Sequence, residues 1–253
     1  MVRRGTTCLV LIGALAFGVT SVASAAPTLT LEEKAVPIPG FPHTGNFLGA
    51  GAADEFKVTI KGTEATGGVP SQITEVKTWL PAGVKLHPQG FVTCSPATLE
   101  NVGPSGCPKK SQASPVGTAA VVDPIGGELV RENATLQGFF APGGQLQFYS
   151  NAAAPISAQL IVSTGHYVSS APPYGPEFIA PVKLVDSVPG APPVSTESFT
   201  IKVGAAYKKG GKTVYYGTLP KTCPKGGFPL KVELTFATGE SASATYRAPC
   251  PKH

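Results

Sequence analysis

Four cysteines after residue 25 are the residues whose type and spacing most clearly carry chemistry. They are Cys94, Cys107, Cys223 and Cys250. If the chain is exported, an even number of cysteines favours disulfides. Three pairings are possible, and closeness in sequence favours Cys94–Cys107 and Cys223–Cys250. A four-cysteine metal site is the alternative, but the chain lacks the Cys-x-x-Cys spacing typical of zinc sites.

A basic turn near the C-terminus is the second candidate site. Its three lysines are Lys208, Lys209 and Lys212, and they surround a Gly-Gly pair between tyrosines at 207 and 215–216. Such a tip could hold an anionic cell-wall polymer or an acidic polysaccharide. The alternative is an ordinary glycine turn whose lysines stay in water. Residues 202–253 contain nine basic and two acidic side chains, so this end of the chain is locally positive.

The sequence patterns of catalytic and metal sites are absent. There is no Gly-x-Ser-x-Gly elbow, no His-Glu-x-x-His pair and no calcium loop. The histidines, which could serve a triad, are scattered at His43, His87, His166 and His253. We therefore predict no catalytic residue, no metal ligand and no cofactor.

Three other features have an ordinary structural interpretation. The acid pairs Glu32-Glu33 and Asp54-Glu55 lie at predicted strand edges, where neighbouring side chains point to opposite faces, and we expect solvated charges. Trp79, the single tryptophan, could stack on a sugar from an exposed position, but the core is the favoured place for it.

Residues 1–25 have the three zones of a secretory signal peptide. Arg3 and Arg4 precede an apolar run at 8–19, and Ala23-Ser24-Ala25 supplies small residues before cleavage at Ala26. The apolar run is shorter than the roughly 20 residues of a membrane-spanning helix, and no later segment is long enough. We expect a secreted protein, extracellular or associated with the cell wall, with no transmembrane segment in the mature chain.

Hydrophobic periodicity predicts an all-β mature chain with very little helix. In Phe56-Lys57-Val58-Thr59-Ile60-Lys61 apolar and polar residues alternate, and 30 glycines and 26 prolines supply turns. The predicted strands are 56–61, 71–80, 116–122, 134–141, 145–150, 156–164, 177–186, 198–206, 212–218, 229–237 and 242–248. A short helix at 96–101, capped by Ser95, lies within the loop between Cys94 and Cys107. We predict a single disulfide-stabilised antiparallel β-sandwich domain, immunoglobulin-like or larger, over 26–253.

Two groups of motifs carry a resemblance. The first contains Cys94-Ser95-Pro96-Ala97, Cys107-Pro108-Lys109-Lys110-Ser111 and Val116-Gly117-Thr118, and the second contains Cys223-Pro224-Lys225-Gly226-Gly227 and Cys250-Pro251. Together they resemble a group of uncharacterised exported bacterial proteins, although here Val116 follows Ser111 by five residues, which is a longer spacing than is usual in that group. The resemblance implies an extracellular β-sandwich with paired cysteines, and it implies no activity.

These observations favour a secreted or envelope-associated, non-catalytic structural or binding protein. An extracellular hydrolase acting on polysaccharide or ester substrates is the alternative. That alternative gains if His87 or His166 lies within hydrogen-bond reach of a serine and a carboxylate. Nucleic acid is not an expected partner, because export separates the two and the charge of the mature chain is weak.

Overall fold

The computed structural model describes residues 26–42, 47–63, 66–152, 161–186, 190 and 192–250. Antiparallel strands dominate these residues, so the predicted all-β class is confirmed. The strands are β1 Thr28–Val36, β2 Ala53–Lys61, β3 Ile73–Pro81, β4 Lys85–Leu86, β5 Gly117–Ile125, β6 Glu128–Phe140, β7 Leu146–Ala152, β8 Ile161–Ser169, β9 Tyr174–Pro181, β10 Ser195–Val203, β11 Ala206–Lys209, β12 Lys212–Tyr215, β13 Gly217–Thr218, β14 Phe228–Phe236 and β15 Ser241–Ala248. The α-helix α1 is Pro96–Val102, and 3-10 turns lie at Pro104–Gly106, Lys109–Ser111 and Pro142–Gly144.

One eleven-stranded sheet contains most of these strands, in the order β1-β2-β10-β5-β6-β7-β8-β9-β3-β14-β15. Strand β8 is its corner, because its first half pairs with β7 and its second half, from His166, pairs with β9. Gly165 lies at the change of partner. A Cβ there would overlap the Phe178 ring and the Ile179 carbonyl oxygen, so only glycine permits this close approach.

The corner places two half-sheets face to face around one core, in the manner of a sandwich. Val58 of β2 and Leu31 of β1 belong to the same buried cluster as Val232 and Leu234 of β14. At the far side β1 lies beside β15, so the sheet is nearly closed into a barrel-like form. The two faces of the predicted sandwich are therefore parts of one continuous sheet.

The strand patterns explain which side chains fill this core. Phe56, Val58 and Ile60 of β2 are buried, as their alternation with polar residues predicts. In the C-terminal hairpin Val232 lies opposite Ala244 and Leu234 opposite Ala242, so the predicted strands 229–237 and 242–248 are present and pair with each other.

Both predicted disulfides are formed, Cys94–Cys107 and Cys223–Cys250. The first encloses α1, whose Ser95 Oγ accepts a hydrogen bond from the Thr98 amide at 3.0 Å, as the predicted cap requires.

Several strand limits differ from those predicted. Strand β1 was missed because its second half contains Glu32, Glu33 and Lys34, which hide the alternation. The predicted strand 212–218 is divided into β12 and β13 at Tyr216, which is buried in the core. Residues 156–160 of another predicted strand lie outside the described residues.

Candidate functional site

An apolar cavity of about 220 Å³, here called the inner cavity, lies between the two half-sheets. Its wall is made by residues of eleven strands, among them Val58, Val76, Ala119, Phe148, Phe178 and Ile201. Apolar walls with a few polar groups are typical of sites that bind small molecules. The inner cavity is therefore the first candidate for a ligand site.

Three polar side chains, Asp54, Tyr167 and Tyr216, line one end of the inner cavity, here called the polar end. The wall also contains Thr78, Ser150, Ser163, Lys183 and Thr196. Asp54 is two residues before Phe56 on β2, so its side chain lies on the inward face of the strand. Burial is the main cause that raises the pKa of both tyrosines, and the Tyr167 hydroxyl is close enough to Tyr216 and Asp54 for both to raise its pKa further.

Glu33 forms a carboxyl pair with Asp54. In the register of β1 with β2, Glu33 lies opposite Phe56 and Ala35 lies opposite Asp54, so the two acids occupy diagonal inward positions. Burial, followed by the charge of Asp54, raises the pKa of Glu33 from 4.5 to about 8. Burial also raises the pKa of Asp54, from 3.8 to about 7. Near neutral pH the pair therefore retains protons that exposed carboxyls would have lost.

A second cavity of about 280 Å³, here called the seam cavity, lies where β1 approaches β15. Its lining includes Glu33, Leu230, Tyr246 and Ala248. Asp54 lines both cavities, whereas Glu33 lines only the seam cavity. Of the two acids, Asp54 is therefore the one that lies between the cavities.

The expectation of solvated edge charges is wrong for Glu33 and Asp54. Their neighbours Glu32 and Glu55 do point outward, as predicted, and each has a lysine partner. The ion pairs are Glu32–Lys57 at 3.0 Å, Glu55–Lys34 at 2.8 Å and Glu55–Lys202 at 2.9 Å. The sequence does carry a signal for the inward positions. Glu33 lies two residues after the buried Leu31, and Asp54 lies two residues before the buried Phe56, so each acid shares a strand face with a core residue.

The predicted basic tip is an exposed hairpin formed by β11 and β12, turning at Gly210 and Gly211 with positive φ. Lys209 lies opposite Lys212, whereas Lys208 lies opposite Thr213 and donates to its Oγ1 at 2.7 Å. Two of the three lysines therefore share a face of the hairpin.

The tyrosines near this tip are occupied by packing. Tyr207 meets the Phe91 ring edge-on at 4.9 Å between centroids, and buried Tyr216 packs against Phe140 at 4.9 Å. Two of the three tyrosines near the hairpin, Tyr207 and Tyr216, are therefore packed against other aromatic rings. A ligand at the tip would be bound mainly through the charge of the lysines.

The expectation of a core position for Trp79 is wrong. Thr78 and Leu80 line the inner cavity, so Trp79 between them points to the outer face of β3. There the Lys231 ammonium lies 4.3 Å from the centroid of the indole ring in a cation–π contact. Lys231 thus covers one face of the ring.

The histidines give no support to a triad. His87 and His166 are exposed, and within the described ranges neither side chain has a hydrogen bond or an ion pair. His43 and His253 lie outside the described residues. Among the residues with described positions, no group of three or more His, Cys, Asp or Glu is placed to hold a metal ion.

Comparisons with protein-family models, with curated proteins and with solved structures found no match. In the part of the chain that the structure describes, no helix has the length and apolar character required to cross a bilayer.

Proposed function

We propose that this chain is an exported, non-catalytic binding protein that holds an apolar small molecule inside its sheet. The inner cavity is the observation that carries the proposal, because its wall is mostly apolar and lies at the centre of the fold. An apolar molecule placed there leaves water and contacts both half-sheets, and this burial is the main source of its affinity.

We place the entrance at the end of the inner cavity opposite Asp54. Val203 of β10 lies beside Asp54, and the antiparallel register carries Thr196 to the other end of the cavity. There residues 182–185 and Val194 complete the wall, and Leu184 is 46% exposed. An exposed leucine beside an apolar cavity offers an apolar molecule a path from the surface.

A bulky side chain inside the cavity tests this proposal. The Ala119→Phe substitution adds a ring to the wall of the inner cavity, whereas Thr118→Phe adds the same ring to the exposed face of the same strand. We expect Ala119→Phe to weaken binding of the neutral fluorophore N-phenyl-1-naphthylamine about tenfold or more, because the ring occupies the ligand's space. Fluorescence titration measures the change. Thr118→Phe should bind as the unmodified protein does, and equal affinities for both variants would reject the cavity as the site.

Export is part of the proposal and rests on the zones of residues 1–25 and on the two disulfides, which persist in oxidising compartments. In a bacterial secretion host, the medium should contain a form that begins at Ala26, as read by mass spectrometry of the intact protein. Leu11→Arg, which interrupts the apolar run, should keep the protein in the cells. Recovery of an uncleaved chain from the cytoplasm alone would contradict export.

The hydrolase alternative receives no support from His87 or His166, because neither has a hydrogen bond to a serine or a carboxylate among the described residues. The anionic polymer remains a predicted partner of Lys208, Lys209 and Lys212, whose exposed positions on the hairpin are compatible with it. The hairpin is separate from the inner cavity, so the two kinds of binding can be measured independently.

A further inference from the structure

On two neighbouring strands, an acid interrupts a series of inward-facing apolar residues. On β1 the inward positions run through Leu29 and Leu31 to Glu33, and on β2 they run from Asp54 through Phe56 to Val58. Burying a carboxyl at either position costs stability unless a partner compensates it. An apolar residue at either position would fit the alternation of its strand. The two acids therefore call for a specific role, and the cavities that they line indicate which.

Among the described residues, Glu33 and Asp54 lack the lysine partners that the outward acids of these strands have. Glu32 and Glu55, which point outward, are paired with lysines, but among the described residues no ion pair involves Glu33 or Asp54. Glu33 is only 6% exposed, and its Oε2 atom has no hydrogen-bond partner although it borders the seam cavity. Glu33 Oε2 is therefore an unsatisfied, enclosed acceptor, and Asp54 adds a second carboxyl that lines both cavities.

The surrounding charged and titratable groups do not neutralise the pair. Lys34 borders the seam cavity, but its ammonium is bound to Glu55 on the outside. Lys183 borders the inner cavity, but its ammonium is bound to Glu100 at 2.8 Å. The remaining groups are the phenols Tyr167, Tyr216 and Tyr246, which add hydroxyls and no positive charge.

The complement of this arrangement is a cation on an apolar body. An ammonium group has three donors and no acceptor, which suits carboxylate oxygens and phenol oxygens. A neutral apolar molecule would leave the Glu33 acceptor unsatisfied, and a carboxylate ligand would add a third acid to two that have no cationic partner among the described residues. A bare metal ion is less suited, because the described residues offer two carboxylates and no third strong ligand.

We propose that the ligand is an apolar amine, whose ammonium is held at Asp54, with Glu33 behind it on the side of the seam cavity, while its hydrocarbon body occupies the inner cavity. This inference rests on the proposed function, since it names the class of molecule that the cavity binds. Binding of the cation favours the ionised carboxyls, so protons leave the pair as the amine enters.

Three probes of equal chain length test the inference. 1-Octylamine, 1-octanol and octanoate are titrated at pH 7 against the protein loaded with N-phenyl-1-naphthylamine. We expect 1-octylamine to bind about tenfold or more tightly than 1-octanol, from the charged hydrogen bonds that it gains, and octanoate to bind most weakly. Asp54→Asn and Glu33→Gln should each reduce the amine to nearly the affinity of the alcohol. The outward control Glu55→Gln should keep the preference.

Calorimetry on the unmodified protein provides a second readout that does not depend on variants folding. Titrations of 1-octylamine in two buffers of different ionisation enthalpy should show proton release, and 1-octanol should show none. Equal affinity of amine and alcohol, without proton release, would overturn the amine inference and leave the apolar site intact. Failure of all three probes and of the fluorophore to bind would instead overturn the proposed function itself.

Discussion

Replacing Glu33 with Gln is expected to stabilise the protein above pH 8 and to change its stability little near pH 4. The pKa of Glu33 is raised from 4.5 to about 8 by burial and by Asp54, so the folded state holds a proton that the unfolded chain has lost. The contribution of Glu33 to the free energy of unfolding is therefore fully present below pH 4.5 and is lost as the pH rises through 8. Each pKa unit corresponds to about 1.4 kcal/mol, so the loss is on the order of 5 kcal/mol. Gln carries no charge at any pH and removes this dependence.

Urea unfolding from pH 4 to pH 9 measures the effect. The matched control is Glu55→Gln on the neighbouring strand, because hydrogen bonds from Lys34 and Lys202 lower the pKa of Glu55. Its contribution is present above its unfolded pKa and is lost as the pH falls, so this variant should lose stability at neutral pH. If unmodified protein and Glu33→Gln give parallel stability curves, the buried pair does not titrate as described.

Removing the Cys94–Cys107 disulfide by a double change to alanine is expected to cost more than removing Cys223–Cys250. Chain entropy alone predicts about 3 kcal/mol for the loop of 13 residues and about 3.5 kcal/mol for that of 27. Packing reverses the order. Cys94 is 2% exposed and Cys107 9% exposed, and both pack with Leu99 and Phe139, so losing their sulfurs also leaves unfilled space.

The free energy of unfolding of the two double variants decides between these contributions. Cys250 is exposed and Cys223 is partly buried, so their loss removes mainly the constraint on the unfolded chain. A larger loss for the Cys223–Cys250 variant would show that loop length, and not packing, dominates both disulfides. The apolar residues of the inner cavity are unchanged in both variants, which should therefore still bind the fluorophore where they remain folded.

The anionic polymer predicted for the lysine hairpin and the ligand proposed for the inner cavity should respond differently to salt. Binding through Lys208, Lys209 and Lys212 depends on exposed charge and weakens with salt. Binding of the neutral fluorophore in the inner cavity depends on enclosed apolar surface, so it should not weaken with salt. A salt series on both activities therefore separates them without any variant.

Local patterns in the sequence determined the strand-rich class, the capped helix at Ser95 and the closeness of each cysteine pair, because these depend on neighbours along the chain. The alternation in β2 also located Phe56, Val58 and Ile60 in the core. The alternation did not predict strand β1, because two glutamates and a lysine interrupt it. Trp79 was assigned to the wrong face, because its position at the strand end did not show which face of the strand it lies on.

The candidate site depended on the tertiary structure. Asp54 lies on β2, Tyr167 on β8 and Tyr216 between β12 and β13, far apart in sequence, and closure of the sheet, with the corner at Gly165, brings them to one end of a cavity. No short motif marks such a set, since each residue alone resembles a surface acid or an ordinary core tyrosine. Amino-acid order thus determined which faces are apolar, whereas closure of the curved sheet decided which polar groups share the enclosed, water-poor space where their pKa values shift.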